Sequence, residues 1–307
     1  MGEAVSEISV IAVVGPTATG KSDLAIELAQ QLDGEVINAD SMQVYRGMDI
    51  GTAKLPPVER VVPHHLLDIW DISRVASVSD YQSLARAAIR EIADRGKVPI
   101  VVGGSGLYVA AVIDDLRFPG TDAIVRQRWQ DELDRVGSVA LHQQLADLDP
   151  KSAAAILPGN GRRIVRALEV IELTGGPFAA FLPTGTPYFD SIQLGMACDR
   201  KELDERISSR VQRMWDLGFV AEVRELEAVG LRQAPTASRA LGYAQILDVL
   251  DGSSDEVFAQ ADTTRATRKF ARRQDAWLRR DERIRWVAPQ IAAALEALRD
   301  TRFGSTA

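Results

Sequence analysis

Apolar runs alternate with amphipathic stretches along the first third of the chain. "ISVIAVV", "GEVINAD" and "KVPIVVGG" are short enough to be buried strands, and the second ends at Asp40. Between the last two, "SDYQSLARAAIREIADRG" repeats its apolar positions at helical spacing, with Ser79 as a candidate N-cap and Gly96 as its end. This alternation predicts an α/β fold in which helices pack on a parallel sheet.

The pattern becomes purely helical after "FPGTD", residues 118–122. Three stretches follow without a strand between them: "AIVRQRWQDELDRVG", "SVALHQQLADLD" and "NGRRIVRALEVIELTGG". "FLPTGTPYFD" then separates them from the strand-like "SIQLGMAC". We predict an all-helical insertion domain at 119–187, within a core domain formed by residues 1–118 and 188–307.

The rest of the core pattern is mostly helical. Helices are predicted from Lys201 to Gly218, around Ala240 to Leu250 and from about Asp255 to Arg280. The short apolar run "RIRWV" predicts a last strand.

"GPTATGKS" connects the first strand to a helix and fits the P-loop pattern G-x-x-x-x-G-K-[ST]. Its glycines let backbone N–H groups turn toward phosphate oxygens, and the helix N-terminus and a lysine add positive charge. Its serine can hold Mg²⁺ or a phosphate oxygen. The predicted diphosphate-binding residues are Gly15, Thr17, Ala18, Thr19, Gly20, Lys21 and Ser22. The predicted fold class is therefore an α/β, P-loop NTPase-like parallel sheet with a helical insertion.

Two other strand ends carry candidate chemistry. "PIVVGGSGLY" ends in glycines and Ser105, where a nucleotide hydrolase would place a Mg²⁺-binding aspartate. Its donors suit an anion such as departing pyrophosphate, or its glycines serve only for packing. Asp40 is positioned to bind Mg²⁺, to accept a proton or to cap a helix, and the sequence leaves these roles open.

Composition and charge restrict the class of protein. With 307 residues, 46% of them hydrophobic, the chain can bury a large core, and it has no apolar run of membrane-spanning length. "MGEAVSE" lacks the apolar core of a signal peptide, so we expect a cytoplasmic protein without a membrane partner. The net charge of -7 argues weakly against nucleic-acid binding, but residues 264–280 hold seven basic side chains and one acid, Asp275. That run is either a solvated helix face or a phosphate-facing surface.

The cysteine and histidine residues do not indicate a metal site. The only cysteine, Cys198, excludes an internal disulfide and a cysteine-cluster metal site, and we expect it to be packed and not nucleophilic. His64 and His65 diverge on an extended segment, so structural hydrogen bonds are expected for them. His142 has no partner at ligand spacing.

Six stretches together resemble the tRNA dimethylallyltransferases, the bacterial tRNA isopentenyltransferase family. They are "GPTATGKS", "INADSMQVYRGMDIGTAK", "VPHHLLD", "GGSGLY", "RRIVRALEV" and "SRALGYAQ", in the family's order between about Ile8 and Trp286. The resemblance implies that the P-loop holds dimethylallyl diphosphate, with Mg²⁺ as the cofactor. It further implies transfer of the dimethylallyl group to N6 of the adenosine immediately 3′ of the anticodon in tRNA, with release of diphosphate.

The resemblance also implies catalytic roles. Asp40 resembles the general base that hydrogen-bonds the adenine N6. Ser105, where the family more often has threonine, and Arg239 resemble the pair that grips the bridging region of the diphosphate. Lys21, Arg239 and a Mg²⁺ ion held by Ser22 would then stabilise the departing pyrophosphate.

A second group of residues matches the family's tRNA-contacting stretches. The target base must leave its stack to enter a narrow site, so the anticodon stem-loop has to be held while the base is extruded. The matching residues are Ser41, Met42, Gln43, Arg126, Arg162, Arg163, Arg166, Gly242 and Tyr243. The expected partners are tRNA and dimethylallyl diphosphate, bound by a monomer.

Three other functions stay open on the sequence. A free-nucleotide isopentenyltransferase would alkylate AMP, ADP or ATP, but it would not need a large helical insertion to hold a stem. A small-molecule P-loop kinase would form ADP from ATP. A non-catalytic RNA-binding module would leave the P-loop and Asp40 without a use.

Overall fold

The computed structural model describes residues 6–178 and 186–304 of the chain. Most of "MGEAVSE" and the first half of "FLPTGTPYFD" lie outside these residues. The chain divides into two compact units, with boundaries between Asp114 and Asp115 and between Thr186 and Pro187. Within the described ranges, no helix is both long and apolar enough to cross a membrane.

The larger unit is built on a parallel sheet with the order β3-β2-β4-β1-β5-β6. Its strands are β1 Ser6–Val14, β2 Gly34–Asn38, β3 His64–His65, β4 Val98–Gly103, β5 Phe189–Met196 and β6 Ile284–Val287. Every pair of neighbours is parallel, so the predicted α/β fold class is confirmed. The two-residue strand β3 agrees with the extended segment expected for His64 and His65, although it is too short for an alternating pattern to show.

Helices cover both faces of this sheet. They are α1 Lys21–Gln31, α2 Val78–Asp94, α3 Gly106–Ile113, α7 Arg200–Asp216, α8 Phe219–Ala228, α9 Tyr243–Leu250, α10 Glu256–Leu278 and α11 Ile291–Leu298. Successive residues of β1 face opposite layers: Val10 and Ala12 pack with α2 and α3, whereas Ile11 and Val13 pack with α1 and α11. The strands are therefore buried on both sides, which explains their nearly continuous apolar sequence.

Helix α2 begins earlier than the sequence indicates. Ser77, and not Ser79, is the N-cap, and its side chain accepts a hydrogen bond from the Asp80 N–H at 3.2 Å. The predicted end is confirmed, because the helix stops at Asp94 and Gly96 follows with a φ of +74°. Helices α3, α8 and α11 were not predicted.

The smaller unit is helical in its described residues, with α4 Ala123–Leu148, α5 Pro150–Ala155 and α6 Gly161–Thr174. Gly137 breaks α4 with a φ of +80°, which accounts for the two separate helices in the sequence pattern. Leu141, Leu145, Ile164 and Leu168 form its core. The unit thus has its own apolar centre.

Candidate active site

Three loops meet at the carboxyl ends of neighbouring strands. Strand β4 lies between β2 and β1, so the loops that follow these strands are adjacent, as expected for ligand sites in open α/β sheets. The Ala39 N–H donates to the Val102 carbonyl at 2.7 Å. A Cβ atom on Gly103 would lie 2.4 Å from the Ala39 carbonyl oxygen, so glycine at this position permits the close approach. The sheet thereby brings Asp40, the P-loop and Ser105 to one edge.

The P-loop is held by its own side chains. Thr19 Oγ1 and Lys21 Nζ both donate to the Pro16 carbonyl, at 2.9 and 2.6 Å. Ala18 has a φ of +66°, a conformation that costs a residue with a side chain on the order of 1 kcal/mol. Gly20, at +87°, is the N-cap of α1. The loop therefore presents the N-terminus of α1 in the arrangement that binds anions.

Lys21 has an unusual protonation equilibrium. Burial and the nearby positive charge of Arg210 lower the pKa of Lys21 to about 7, and the carboxylate of Asp40 partly opposes this shift. Near neutral pH about half of Lys21 is therefore a neutral amine, which can gain a proton when an anion arrives.

Asp40 follows β2 in a tight turn. Its Oδ1 accepts a hydrogen bond from the Met42 N–H at 2.9 Å, and its own N–H donates to Asn38 Oδ1 at 3.0 Å. Its negative charge contributes to raising the pKa of Tyr81 and Tyr108, in both of which burial is the larger cause. The carboxylate thus lies between cationic groups and buried phenols, and the turn fixes its direction.

Ser105 is at the N-cap position of α3, but its side chain does not cap the helix. It is half-buried, and its hydroxyl has no partner among residues 6–178 and 186–304. A hydroxyl at an N-cap position normally accepts hydrogen bonds from the first N–H groups of the helix. Because the Ser105 hydroxyl does not, it is available to a ligand.

Arg210 belongs to the site and was missed by sequence reasoning. It donates to the Thr52 carbonyl at 3.3 Å, and burial lowers its pKa while the charge of Asp40 opposes that shift. A signal was present in the sequence: Arg210 falls among Ile207, Val211 and Met214, the buried stripe of α7. A charged residue within an apolar stripe has to find a partner, but only the fold shows which one.

A Mg²⁺ site is incomplete with protein groups alone. No cluster of three or more His, Cys, Asp or Glu side chains suited to a metal occurs in the described ranges. Ser22 is exposed at the start of α1 and Asp40 is the carboxylate of the facing loop. This small set of oxygen donors fits Mg²⁺, which commonly binds one or two protein ligands together with substrate phosphates and water.

The predicted catalytic Arg239 is exposed, and its side chain has no partner in the part of the chain that is described. Tyr243, from the same motif, is fully buried and donates its hydroxyl to Glu222 Oε1 at 2.6 Å. Gly242 is buried, and a Cβ atom there would lie 2.4 Å from the Phe219 ring. Gly242 and Tyr243 thus have packing roles in this structure, and their contact with RNA stays a prediction.

The residues after Asp40 have mixed environments. Ser41 and Met42 are half-buried. Gln43 donates from Nε2 to the Thr52 carbonyl at 3.1 Å, the same oxygen that Arg210 contacts. Gln43 therefore helps to fix the loop that holds Arg210.

The insertion arginines also separate into two kinds. Arg166 donates to Glu169 at 2.8 Å and to the Pro119 carbonyl at 2.7 Å, and Arg126 lies 3.9 Å from Glu169. Burial alone would raise the pKa of Glu169, but hydrogen bonds from Thr121 and Arg166 outweigh it and lower the pKa. These two arginines therefore neutralise a fully buried carboxylate.

Arg162 and Arg163 are different, because both are exposed and neither side chain has a partner within the described ranges. They are the insertion arginines of the matched set that are free to meet phosphate groups.

Several basic side chains of the run at 264–280 are paired, mostly with groups outside the run. These pairs are Arg265 with Asp262, Arg268 with Ser208, Arg272 with Asp204 and Arg279 with Asp275. Lys269 and Arg280 are exposed without a partner in the described chain. The run has less unpaired charge than its sequence indicates, and its contact with phosphate stays a prediction.

The expectation of structural histidines is confirmed. His64 Nδ1 lies 2.8 Å from the Val62 carbonyl, His65 Nε2 lies 2.6 Å from Glu35, and His142 contacts backbone carbonyls. Cys198 is half-exposed, and burial raises the pKa of its thiol, which disfavours a nucleophilic thiolate.

A sequence profile of the family described as IPP transferase matches residues 43–281. The chain belongs to this family. A second profile, described as isopentenyl transferase, matches residues 8–62 and so covers the P-loop and Asp40. The two matches confirm the family resemblance that the six motifs carry.

Relatives and solved structures extend along nearly the whole chain. The tRNA dimethylallyltransferase of Streptomyces avermitilis is 60% identical over 94% of this chain and 92% of its own length. That of Streptomyces griseus is 62% identical over 91% and 89%. The crystal structure of the full-length tRNA isopentenylpyrophosphate transferase from Bacillus halodurans has 42% identity and a TM-score of 0.68, and covers 92% of this chain and 90% of that one. A eukaryotic dimethylallyltransferase acting on tRNA has 27% identity and a TM-score of 0.78, over 97% and 77%.

Proposed function

We propose that this chain transfers a dimethylallyl group from dimethylallyl diphosphate to N6 of the adenosine immediately 3′ of the anticodon in tRNA. Membership of the IPP transferase family and relatives named for this reaction support the proposal. The single observation that carries it is the sheet order, which brings Asp40 and the P-loop to the carboxyl ends of nearby strands, where the charge of Asp40 acts on Lys21 and Arg210. A base for the acceptor is thus combined with cations for a leaving diphosphate.

The proposed reaction forms a bond between N6 and the allylic carbon and breaks the bond between that carbon and the diphosphate oxygen. Asp40 accepts a proton from N6, which makes the nitrogen more nucleophilic. Lys21, Arg210 and the P-loop amides stabilise the negative charge that develops on the diphosphate, and Ser105 and Arg239 orient its bridging region. Ser22 would hold Mg²⁺, which would supply further charge neutralisation for the diphosphate.

RNA recognition is assigned to the insertion and to the turn after Asp40. Arg162 and Arg163 are proposed to meet stem phosphates, while Ser41 and Met42 face the extruded base. The protein is proposed to act as a monomer in the cytoplasm on the anticodon stem-loop.

The test is a product analysis by mass spectrometry. Protein, Mg²⁺ and dimethylallyl diphosphate are incubated with an unmodified anticodon stem-loop or, in parallel, with AMP. We expect a dimethylallyl mass gain on the stem-loop alone. A gain on AMP alone would identify a free-nucleotide enzyme, and no gain on either would refute the proposal.

Asp40→Asn tests the base within the same assay. Removing a general base is expected to lower the transfer rate about 10²-fold or more while leaving stem-loop affinity within about twofold. Asp33→Asn is the matched control, because Asp33 lies just before β2, at its opposite end, and its carboxylate is largely exposed. Near-normal transfer by Asp40→Asn would remove Asp40 from the base role.

A further inference from the structure

Gln274 of α10 is a buried amide that the proposed chemistry does not use. It is only 7% exposed, although it lies within the basic run at 264–280. A buried amide is costly unless its polar atoms have partners. Its Oε1 accepts a hydrogen bond from the Thr17 N–H at 2.9 Å, a residue 257 positions earlier in the P-loop.

That hydrogen bond completes the fixation of one peptide group. The carbonyl of the peptide between Pro16 and Thr17 accepts from Thr19 Oγ1 and Lys21 Nζ, and its N–H donates to Gln274. A peptide group held at both ends cannot rotate without losing hydrogen bonds at both. Since Lys21 is one of the partners, the orientation of this peptide also determines where the ammonium group rests.

The other end of the amide faces the loop after β4. A Cβ atom on Gly104 would lie 2.4 Å from Gln274 Nε2 and 2.9 Å from the Gly15 carbonyl oxygen. Gly104 immediately precedes Ser105. The amide therefore fits between the P-loop and the Ser105 loop, and the absence of a side chain at Gly104 gives it room.

A neighbouring contact on the same face of α10 supports this placement of the amide. Trp277, three residues after Gln274, packs so closely on Gly106 that a Cβ atom there would lie 2.0 Å from its ring. Positions three apart share a helix face, so α10 contacts both glycines that flank Ser105.

We propose that Gln274 is a positioning residue that fixes the P-loop and the Ser105 loop relative to each other, so that both address the same diphosphate. The inference rests on the proposed function for the identity of the ligand. Gln274 acts through Thr17 and Gly104 and does not touch the reacting atoms.

The test uses Gln274→Met, which keeps the length of the side chain and removes the acceptor. Affinity for inorganic pyrophosphate with Mg²⁺ is measured by calorimetry, well below the melting temperature of each variant, together with KM for dimethylallyl diphosphate and for the stem-loop. We expect pyrophosphate affinity to fall about 10-fold, in line with one lost hydrogen bond in a buried site, and KM for the stem-loop to change less than about twofold. Gln260→Met is the control, since Gln260 is a half-buried glutamine of the same helix whose amide donates to Gln212 of α7 and not to the P-loop.

A lower melting temperature with unchanged pyrophosphate affinity would show a merely structural role and overturn the proposal. If Gln274→Met does not fold, Gln274→Asn replaces it, because the shorter side chain stays polar but withdraws its oxygen from the Thr17 N–H. Pyrophosphate affinity is then expected to fall in the same way, with KM for the stem-loop nearly unchanged. Wild-type pyrophosphate affinity would overturn the proposal.

Pyrophosphate binding distinguishes this inference from the proposed function. A wild-type protein that binds pyrophosphate but does not modify the stem-loop would refute the function and still leave the Gln274 measurement valid.

Discussion

The lowered pKa of Lys21 predicts that diphosphate binding takes up a proton. Burial and Arg210 hold the pKa of the ligand-free lysine at about 7, against an ordinary value of 10.5. A diphosphate beside Lys21 opposes both causes, because its negative charge favours the ammonium form in the buried site and offsets the charge of Arg210. The bound complex then keeps Lys21 protonated throughout the neutral and mildly alkaline range.

The size of the effect follows from this difference. With a free pKa of about 7 and a bound pKa near the ordinary value, affinity at pH 9 is expected to be about 50-fold weaker than at pH 7. Proton uptake on binding is about half a proton at pH 7 and about nine tenths at pH 8. Folding stability depends on pH through the same group. The unfolded chain binds this proton more tightly, so Lys21 should raise the free energy of unfolding of the ligand-free protein as pH rises from about 7 toward 10.5.

The assay is calorimetry of dimethylallyl diphosphate binding without RNA, between pH 7 and 9, in pairs of buffers with different ionisation enthalpies. The buffer dependence counts the protons directly. Lys21→Arg is the control, because a guanidinium stays protonated over this range and should bind without this uptake. Wild-type affinity that is flat from pH 7 to 9, with no proton uptake, would refute the reasoning and place the pKa of Lys21 well above 9.

Two further predictions concern RNA binding and stability. Replacing Arg162 and Arg163 with alanine should weaken stem-loop binding and reduce the slope of log affinity against log salt by about 1 to 2, and an unchanged slope would place these side chains away from RNA. Gly51→Ala should lower the free energy of unfolding in urea by about 1–3 kcal/mol, because its Cβ atom would lie 2.2 Å from the Phe219 ring. Gly120→Ala, where a Cβ atom meets nothing within 4 Å, should change it by less than about 0.5 kcal/mol, and equal effects of the two changes would contradict the packing argument.

The loops of the site were more predictable from sequence than their partners. The P-loop motif depends on neighbouring residues, so its turn and the following helix could be predicted from "GPTATGKS" alone. Arg210 and Gln274 reach the site from α7 and α10, far along the chain, and no local pattern gives the distance between them and the P-loop.

The burial of residues matched to tRNA contacts was likewise not predictable from the motifs. Tyr243 and Arg166 match tRNA-contacting stretches of the family, yet Tyr243 is buried against Glu222 and Arg166 donates to Glu169. A sequence match gives the identity of a residue in a motif, whereas its exposure depends on what packs over it. The roles of these two residues toward RNA therefore stay predictions.

The sequence by itself determined the strand and helix periodicity, the P-loop turn and the family, because each depends on local spacing or on the order of motifs along the chain. The tertiary structure decided the protonation of Lys21, the partners of Asp40 and the use of Gln274. These depend on desolvation and on charges brought together from separate elements, and both act through space and not along the sequence.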